Sequence, residues 1–166
     1  EMSLRCRLID HVTMKGCRDP LWLYTVDLDP QNLEVATRGP DRVIRNRFKM
    51  RQLREVRKSE MWSEDYYVWE AFCTDEDLLA MRAKFSTEFF QRFAMAYRNY
   101  EAGEWLAARD MLFTCHYSPS PDSGYIVKSE SEWPEDGPTV SLLAFMRQTN
   151  FCAPTGWPGY RELAEK

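Results

Sequence analysis

The sequence predicts an α+β chain, with a β-hairpin at the start and a mainly α-helical remainder. Three observations predict it. Apolar and polar residues alternate in two short runs around Gly16 and Asp19-Pro20. Apolar residues recur at three- and four-residue spacing from Leu78 to Tyr100, and again after Gly103. The composition, 44% hydrophobic and 14% aromatic over 166 residues, is enough for a packed core and rules out global disorder.

The first element is the hairpin. Leu4, Cys6 and Leu8 alternate with Arg5, Arg7 and Ile9, and Val12 and Met14 carry the pattern to Lys15. The stretch Lys15-Gly16-Cys17-Arg18-Asp19-Pro20 is a turn, and Leu21 to Val26 is rich in β-formers. A lone hairpin is marginal in water. This one is expected to complete another β-layer, because the rest of the chain does not obviously supply strands. The opening residue, Glu1 rather than Met, fits the same expectation of a piece from a longer protein.

Residues 29–60 read as a basic helical connector. Asp29-Pro30 and Arg38-Gly39-Pro40 bound a short loop, and Asp41 is an N-cap candidate for a helix from Arg42 to Lys58. Residues 38–58 hold nine basic side chains against Asp41 and Glu55, although the whole chain carries a formal charge of −4. Ile44, Phe48, Met50, Leu53 and Val56 give that helix an imperfect apolar stripe. A cationic amphipathic helix suits a calcium sensor, anionic lipid or an acidic protein face. Contact with protein is the favoured reading, with Arg45, Arg47, Lys49, Arg51 and Arg54 as the partner-binding residues. Nucleic acid is disfavoured, because the chain as a whole is acidic and aromatic interleaving in the stretch is limited to Phe48.

Residues 61–166 read as a helical extension. Asp75-Glu76-Asp77 favours a helix start, and a single helix from Leu78 to Tyr100 is expected. Gly103 ends it, and a second helix opens at Glu104-Trp105. The pair reads as an αα-hairpin of tetratricopeptide type, without a second copy at the repeat period. Residues 118–138 read as a loop, Thr139–Thr149 as a short helix, and Phe151–Tyr160 as an extended end whose aromatics dock on the helices.

The chemistry of a self-contained enzyme is not visible. His11 and His116 lack metal-site spacing, no Gly-x-Ser-x-Gly or glycine-rich phosphate loop occurs, and no cysteine stands in an activated context. Five scattered cysteines suggest reduced thiols and a cytoplasmic setting. No apolar run approaches the ~18–20 residues a membrane span needs. Lys15, at a tight turn beside Gly16, is the residue best placed to set an ammonium against phosphate.

The stretch Arg7-Leu8-Ile9-Asp10-His11-Val12-Thr13-Met14-Lys15-Gly16-Cys17-Arg18-Asp19-Pro20-Leu21-Trp22-Leu23-Tyr24-Thr25-Val26-Asp27 resembles the last two strands of a class III adenylate/guanylate cyclase catalytic domain. Met14 stands where valine is commoner in that family. Tyr100-Glu101-Ala102-Gly103-Glu104-Trp105-Leu106-Ala107-Ala108, then Asp136-Gly137-Pro138-Thr139 with Leu142-Leu143, is similar to the helical extension behind many such domains. Residues 116–135 form a longer insertion between those parts. The ending Trp157-x-Gly159-Tyr160-Arg161 also resembles the close of such extensions. The likeness spans about 25 residues at the start and some 65 at the end, and leaves residues 29–84 uncovered.

The resemblance implies that residues 1–28 close the ferredoxin-like sheet of a cyclase domain. Lys15 would then contact a nucleotide triphosphate. It further implies a parent that forms cyclic AMP or cyclic GMP at a dimer interface with Mg or Mn. Its partners would be the cyclase domain of the same parent chain and its dimer mate. The metal-binding carboxylates and the base- and transition-state-recognition residues of that family are absent here, so this chain alone is expected to be inactive, with no catalytic residue and no metal or cofactor of its own. The alternative is a scaffold of a ciliary or membrane assembly with a degenerate cyclase fold.

Overall fold

The computed structural model describes residues 6–33, 47–117 and 133–163. Among them are a three-stranded sheet and six α-helices, an α+β architecture. They form two compact units: residues 6–27 with 83–117 and 133–163, and residues 28–33 with 47–82. The grouping cuts across the three successive segments 1–28, 29–60 and 61–166 expected above. The hairpin shares a core with the helices of the far end, because its inward side chains are buried there.

The hairpin comprises β1 (Cys6–Thr13) and β2 (Leu21–Val26), paired antiparallel with Cys6 opposite Val26 and Val12 opposite Leu21. A register shift between Leu8 and Asp10 leaves Ile9 as an extra residue on β1, a bulge. The turn closes with Cys17 N–H donating to the Met14 carbonyl at 3.0 Å, and Gly16 takes φ +91° there. Contrary to the expectation that the remainder supplies no strand, β3 (Arg161–Glu162) pairs parallel to β1 at Val12 and Thr13. The sheet order is β2-β1-β3. Two residues are too short to show in any alternation pattern, which is why the sequence hides them.

In the same unit, α4 (Thr87–Glu101), α5 (Trp105–Phe113) and α6 (Gly137–Arg147) carry the core. Phe89, Phe93, Ala96, Tyr97 and Tyr100 from α4 meet Trp105, Ala108 and Leu112 from α5 and Leu142, Leu143 and Met146 from α6. The α4–α5 turn is a Schellman motif: Glu104 N–H donates to Asn99 C=O at 2.8 Å and Gly103 N–H to Tyr100 C=O at 3.1 Å. Gly103 sits at φ +84°, the left-handed conformation that motif requires. The extended end docks as its aromatic content implies. Trp157 Nε1 donates to the carbonyls of Tyr100 and Glu101, both at 3.1 Å, and Trp105 Nε1 donates to Tyr100 C=O at 3.1 Å. Two indoles thus occupy carbonyls that the end of a helix leaves without intrahelical partners.

The helix expected over 78–100 is two helices. Acidic residues do open α3 (Glu76–Arg82), but Ser86 caps a new helix, accepting from Phe89 N–H at 3.1 Å. The three- and four-residue apolar spacing runs through the break, so periodicity alone could not show it.

The second unit holds a 3-10 turn (Pro30–Asn32), α1 (Arg47–Met61), α2 (Val68–Thr74) and α3. Asp29 N–H donates to Met81 C=O at 2.9 Å, joining the turn to the end of α3. Among its described residues Phe72 is the one buried apolar side chain, 7% exposed, with the Arg82 guanidinium 5.6 Å from its ring centre. The expected start of the basic helix, Asp41 to Asn46, and most of the long loop, 118–132, lie outside the described residues.

Candidate functional site

Three features of the hairpin and one of α1 bear on function. The first is the buried end of β1. Arg7, 7% exposed, donates from Nε and Nη2 to Asp27 at 2.9 and 2.7 Å, and from Nη1 and Nη2 to Asp136 at 3.0 and 2.8 Å. Its guanidinium lies 4.8 and 4.4 Å from the ring centres of Phe89 and Phe93. Asp136 also caps α6, accepting from Thr139 N–H at 2.9 Å and Thr139 Oγ1 at 2.6 Å, and it accepts from Tyr117 Oη at 3.1 Å. Burial works to raise the Asp136 carboxyl, but the bonds and charge of Arg7 and the bonds from Thr139 outweigh it and hold the carboxyl below its usual range. Burial likewise works to lower Arg7, and its two carboxylates reverse that.

A second ion pair joins β1 to the residues of β3. Arg161 donates to Asp10 from Nε at 2.8 Å and to Ser141 Oγ from Nη2 at 2.9 Å, and Nη2 lies 2.6 Å from Asp10 Oδ2 as an ion pair. Here burial wins: Asp10, 4% exposed, is pushed up despite Arg161. Beneath it the phenol oxygens of Tyr97 and Tyr100 have no hydrogen-bond partner among the described residues, and burial raises both phenols. Arg7, Asp10, Asp136 and Arg161 were not singled out as site residues from the sequence. Arg7 and Asp136 are 129 positions apart, and charges in an alternating strand read as its solvated face.

The third feature is the open side of the hairpin. Among the described residues no strand pairs with the outer edge of β2. Leu21, Trp22, Tyr24 and Val26 are 40, 46, 60 and 39% exposed, an apolar run on an edge strand. Trp22 is held by stacking on His11, ring centres 3.7 Å apart and 6° from parallel. Trp22 also borders a cavity of about 380 Å³ with Leu8, Phe90, Phe93, Tyr97 and Arg98. Lys15 stands exposed at the tip of this hairpin, in the turn that Gly16 makes.

The basic residues take a different place. Arg47, Lys49, Arg51 and Arg54 all lie on α1 and all are exposed; Arg45 lies outside the described residues. None of α1 is buried. Lys15 belongs to the hairpin's unit and the α1 cations to the other, so they are separate features of the chain.

All five cysteines are thiols, and burial pushes Cys115 up to about 12, which keeps it protonated at neutral pH. Among the described residues no three His, Cys, Asp or Glu side chains stand together as a metal set. Among the same residues no helix is long and apolar enough to cross a membrane. In comparisons with known proteins, no family model, no curated protein and no solved structure matches the chain.

Proposed function

We propose that this chain is the C-terminal regulatory and docking region of a nucleotidyl cyclase, and is itself inactive. The parent would convert ATP or GTP to the cyclic monophosphate. The ribose 3′-hydroxyl attacks the α-phosphorus, the bond to the β-phosphate oxygen breaks, and pyrophosphate leaves. One observation carries the reading. The hairpin is anchored on one side by buried ion pairs and open on the other, with an apolar, unpaired β2 edge and Lys15 at its tip. An unpaired β2 edge leaves room for a further strand, which supports the reading that the resemblance of Arg7–Asp27 to the closing cyclase hairpin implies. The chain's described residues do not supply the carboxylates that hold Mg or Mn in that family, so no step is assigned to a metal here.

In the proposed role Lys15 presents a positive charge to the triphosphate, compensating charge that develops on the leaving pyrophosphate. In the full protein that carries this chain, Lys15→Ala should lower kcat/KM for the nucleotide roughly tenfold or more, the size expected for one charge-assisted contact. Lys15 is exposed, so the melting temperature should hold. Unchanged kinetics would remove Lys15 from the site.

The basic helix, none of whose residues is buried, favours a second reading, a scaffold with a degenerate cyclase fold in a ciliary or membrane assembly. A full protein that makes no cyclic nucleotide from Mn-ATP or Mn-GTP, yet retains a partner through residues 47–61, would select it.

A further inference from the structure

α1 is a 15-residue helix with no buried residue, in a unit whose described part buries one apolar side chain. An isolated helix of that length is marginal in water. Its charge is not spread evenly. At 3.6 residues per turn, Arg47, Arg51, Arg54 and Lys58 (positions i, i+4, i+7 and i+11) fall within about 60° of the circumference and extend along about 16 Å of axis. Leu53 and Val56 lie on the other side, while Met50 and Met61 flank the stripe; all four line a groove with Arg54, Asp65, Tyr66 and Tyr67. Among the described residues no carboxylate is within ion-pair distance of Arg47, Arg51 or Arg54. Lys58 meets Glu55 at 3.5 Å, an exposed pair that contributes little.

We infer that this stripe is a docking surface for an acidic protein helix that presents carboxylates at the same spacing. Three of the four cations are arginines, whose planar forks bind carboxylates bidentately. The alternatives fit less well. A membrane-surface helix buries its apolar face in the lipid boundary, whereas here the apolar arc turns toward α2 and is interrupted by Lys49, Arg57 and Glu60. Single-stranded nucleic acid is held by aromatic stacking as well as cations, and Phe48 is the one aromatic residue in α1. The inference stands on α1 alone and holds whether or not the parent is a cyclase.

The test uses the whole chain and a labelled helical peptide with glutamates at i, i+4, i+7 and i+11. An isomer of equal composition with its glutamates spread around the helix serves as the comparison, and binding is read by fluorescence anisotropy. The striped peptide should bind roughly tenfold tighter than the isomer and weaken as salt rises. Arg51→Glu with Arg54→Glu should cost roughly tenfold or more. Lys49→Glu with Arg57→Glu changes net charge by the same amount off the stripe, and should stay within about threefold. Arg51→Gln with Arg54→Gln reads the same contrast if charge reversal unwinds the helix by circular dichroism. Equal binding of the two peptides would overturn the inference. So would equal loss in both variant pairs, or tighter binding to phosphatidylserine–phosphatidylcholine vesicles or to an oligouridylate.

Discussion

Arg7 and Asp10 both point into the interior from one strand, and they pull the molecule in opposite directions. Asp136, partner of Arg7, ionises more readily in the fold than in the unfolded chain. Its stabilising contribution is therefore present above the ordinary carboxylate value of ~3.9 and is lost as pH falls through its lower folded value. Asp10 behaves the other way, since burial raises it; its ionised form costs stability at neutral pH, and that cost disappears as pH falls. Neutralising the two should thus be unequal. Asp136→Asn retains a capping side chain but leaves Arg7 short of one counter-charge, and should cost about 2–3 kcal/mol at pH 7. Asp10→Asn should cost under about 1 kcal/mol, because it also removes a buried charge. Urea denaturation of the two variants at pH 7 checks this, and equal losses would mean that Asp136 is no better compensated than Asp10. Arg7→Leu leaves two buried carboxylates without their common cation and should cost about 3–5 kcal/mol.

At the scale of elements, the stops and starts matter more than the stripes. The αα-hairpin was legible because its turn has its own signal: Gly103 followed by Glu104-Trp105, realised as a Schellman turn at φ +84°. Gly103→Ala puts a side chain in the left-handed region and should cost about 1 kcal/mol, although ordinary contacts with Trp157 and Ala153 leave room for the methyl. The break before α4 was not legible, since Ser86 interrupts nothing in the apolar period. Ser86→Ala should cost about 1 kcal/mol by thermal or urea unfolding, and no change would mean that its hydroxyl is not the cap. Phe151 is a third special position: a bulky residue at φ +59°, held with its ring 9% exposed beside Arg109. Burial of the ring offsets the backbone strain.

For the whole molecule, the first and last described segments belong to one core, and the sequence order conceals it. Alternation gave the hairpin, and three- and four-residue spacing gave the helices, because each depends on neighbours in the chain. The Arg7–Asp136 and Asp10–Arg161 pairs depend on residues 129 and 151 positions apart, which no local pattern encodes. For the candidate site, the turn lysine and the cations of α1 were visible as residue types. The α1 cations sort into a stripe and off-stripe positions only once the helix is fixed. The hairpin was expected to complete another β-layer; that it shares a core with this chain's own helices was not. Removing residues 1–27 from the chain should therefore do more than trim an appendage. It strips Asp136 of Arg7, and the remaining helices should lose cooperative melting in calorimetry. A sharp transition in that truncated form would show that the helical core stands without the hairpin.

The double indole clasp on Tyr100 C=O gives the chain a built-in optical gauge. Trp157 sits edge-on to Trp105, centroids 5.0 Å apart, while its N–H grips the last turn of α4. Peeling back the tail would wet that ring and red-shift its emission, and would take the indole donor from the Glu101 carbonyl, while Tyr100 C=O keeps Gly103 N–H and Trp105 Nε1. Cleavage just ahead of Trp157 would then register as a spectral change and as fraying of α4 together, two signals from one cut.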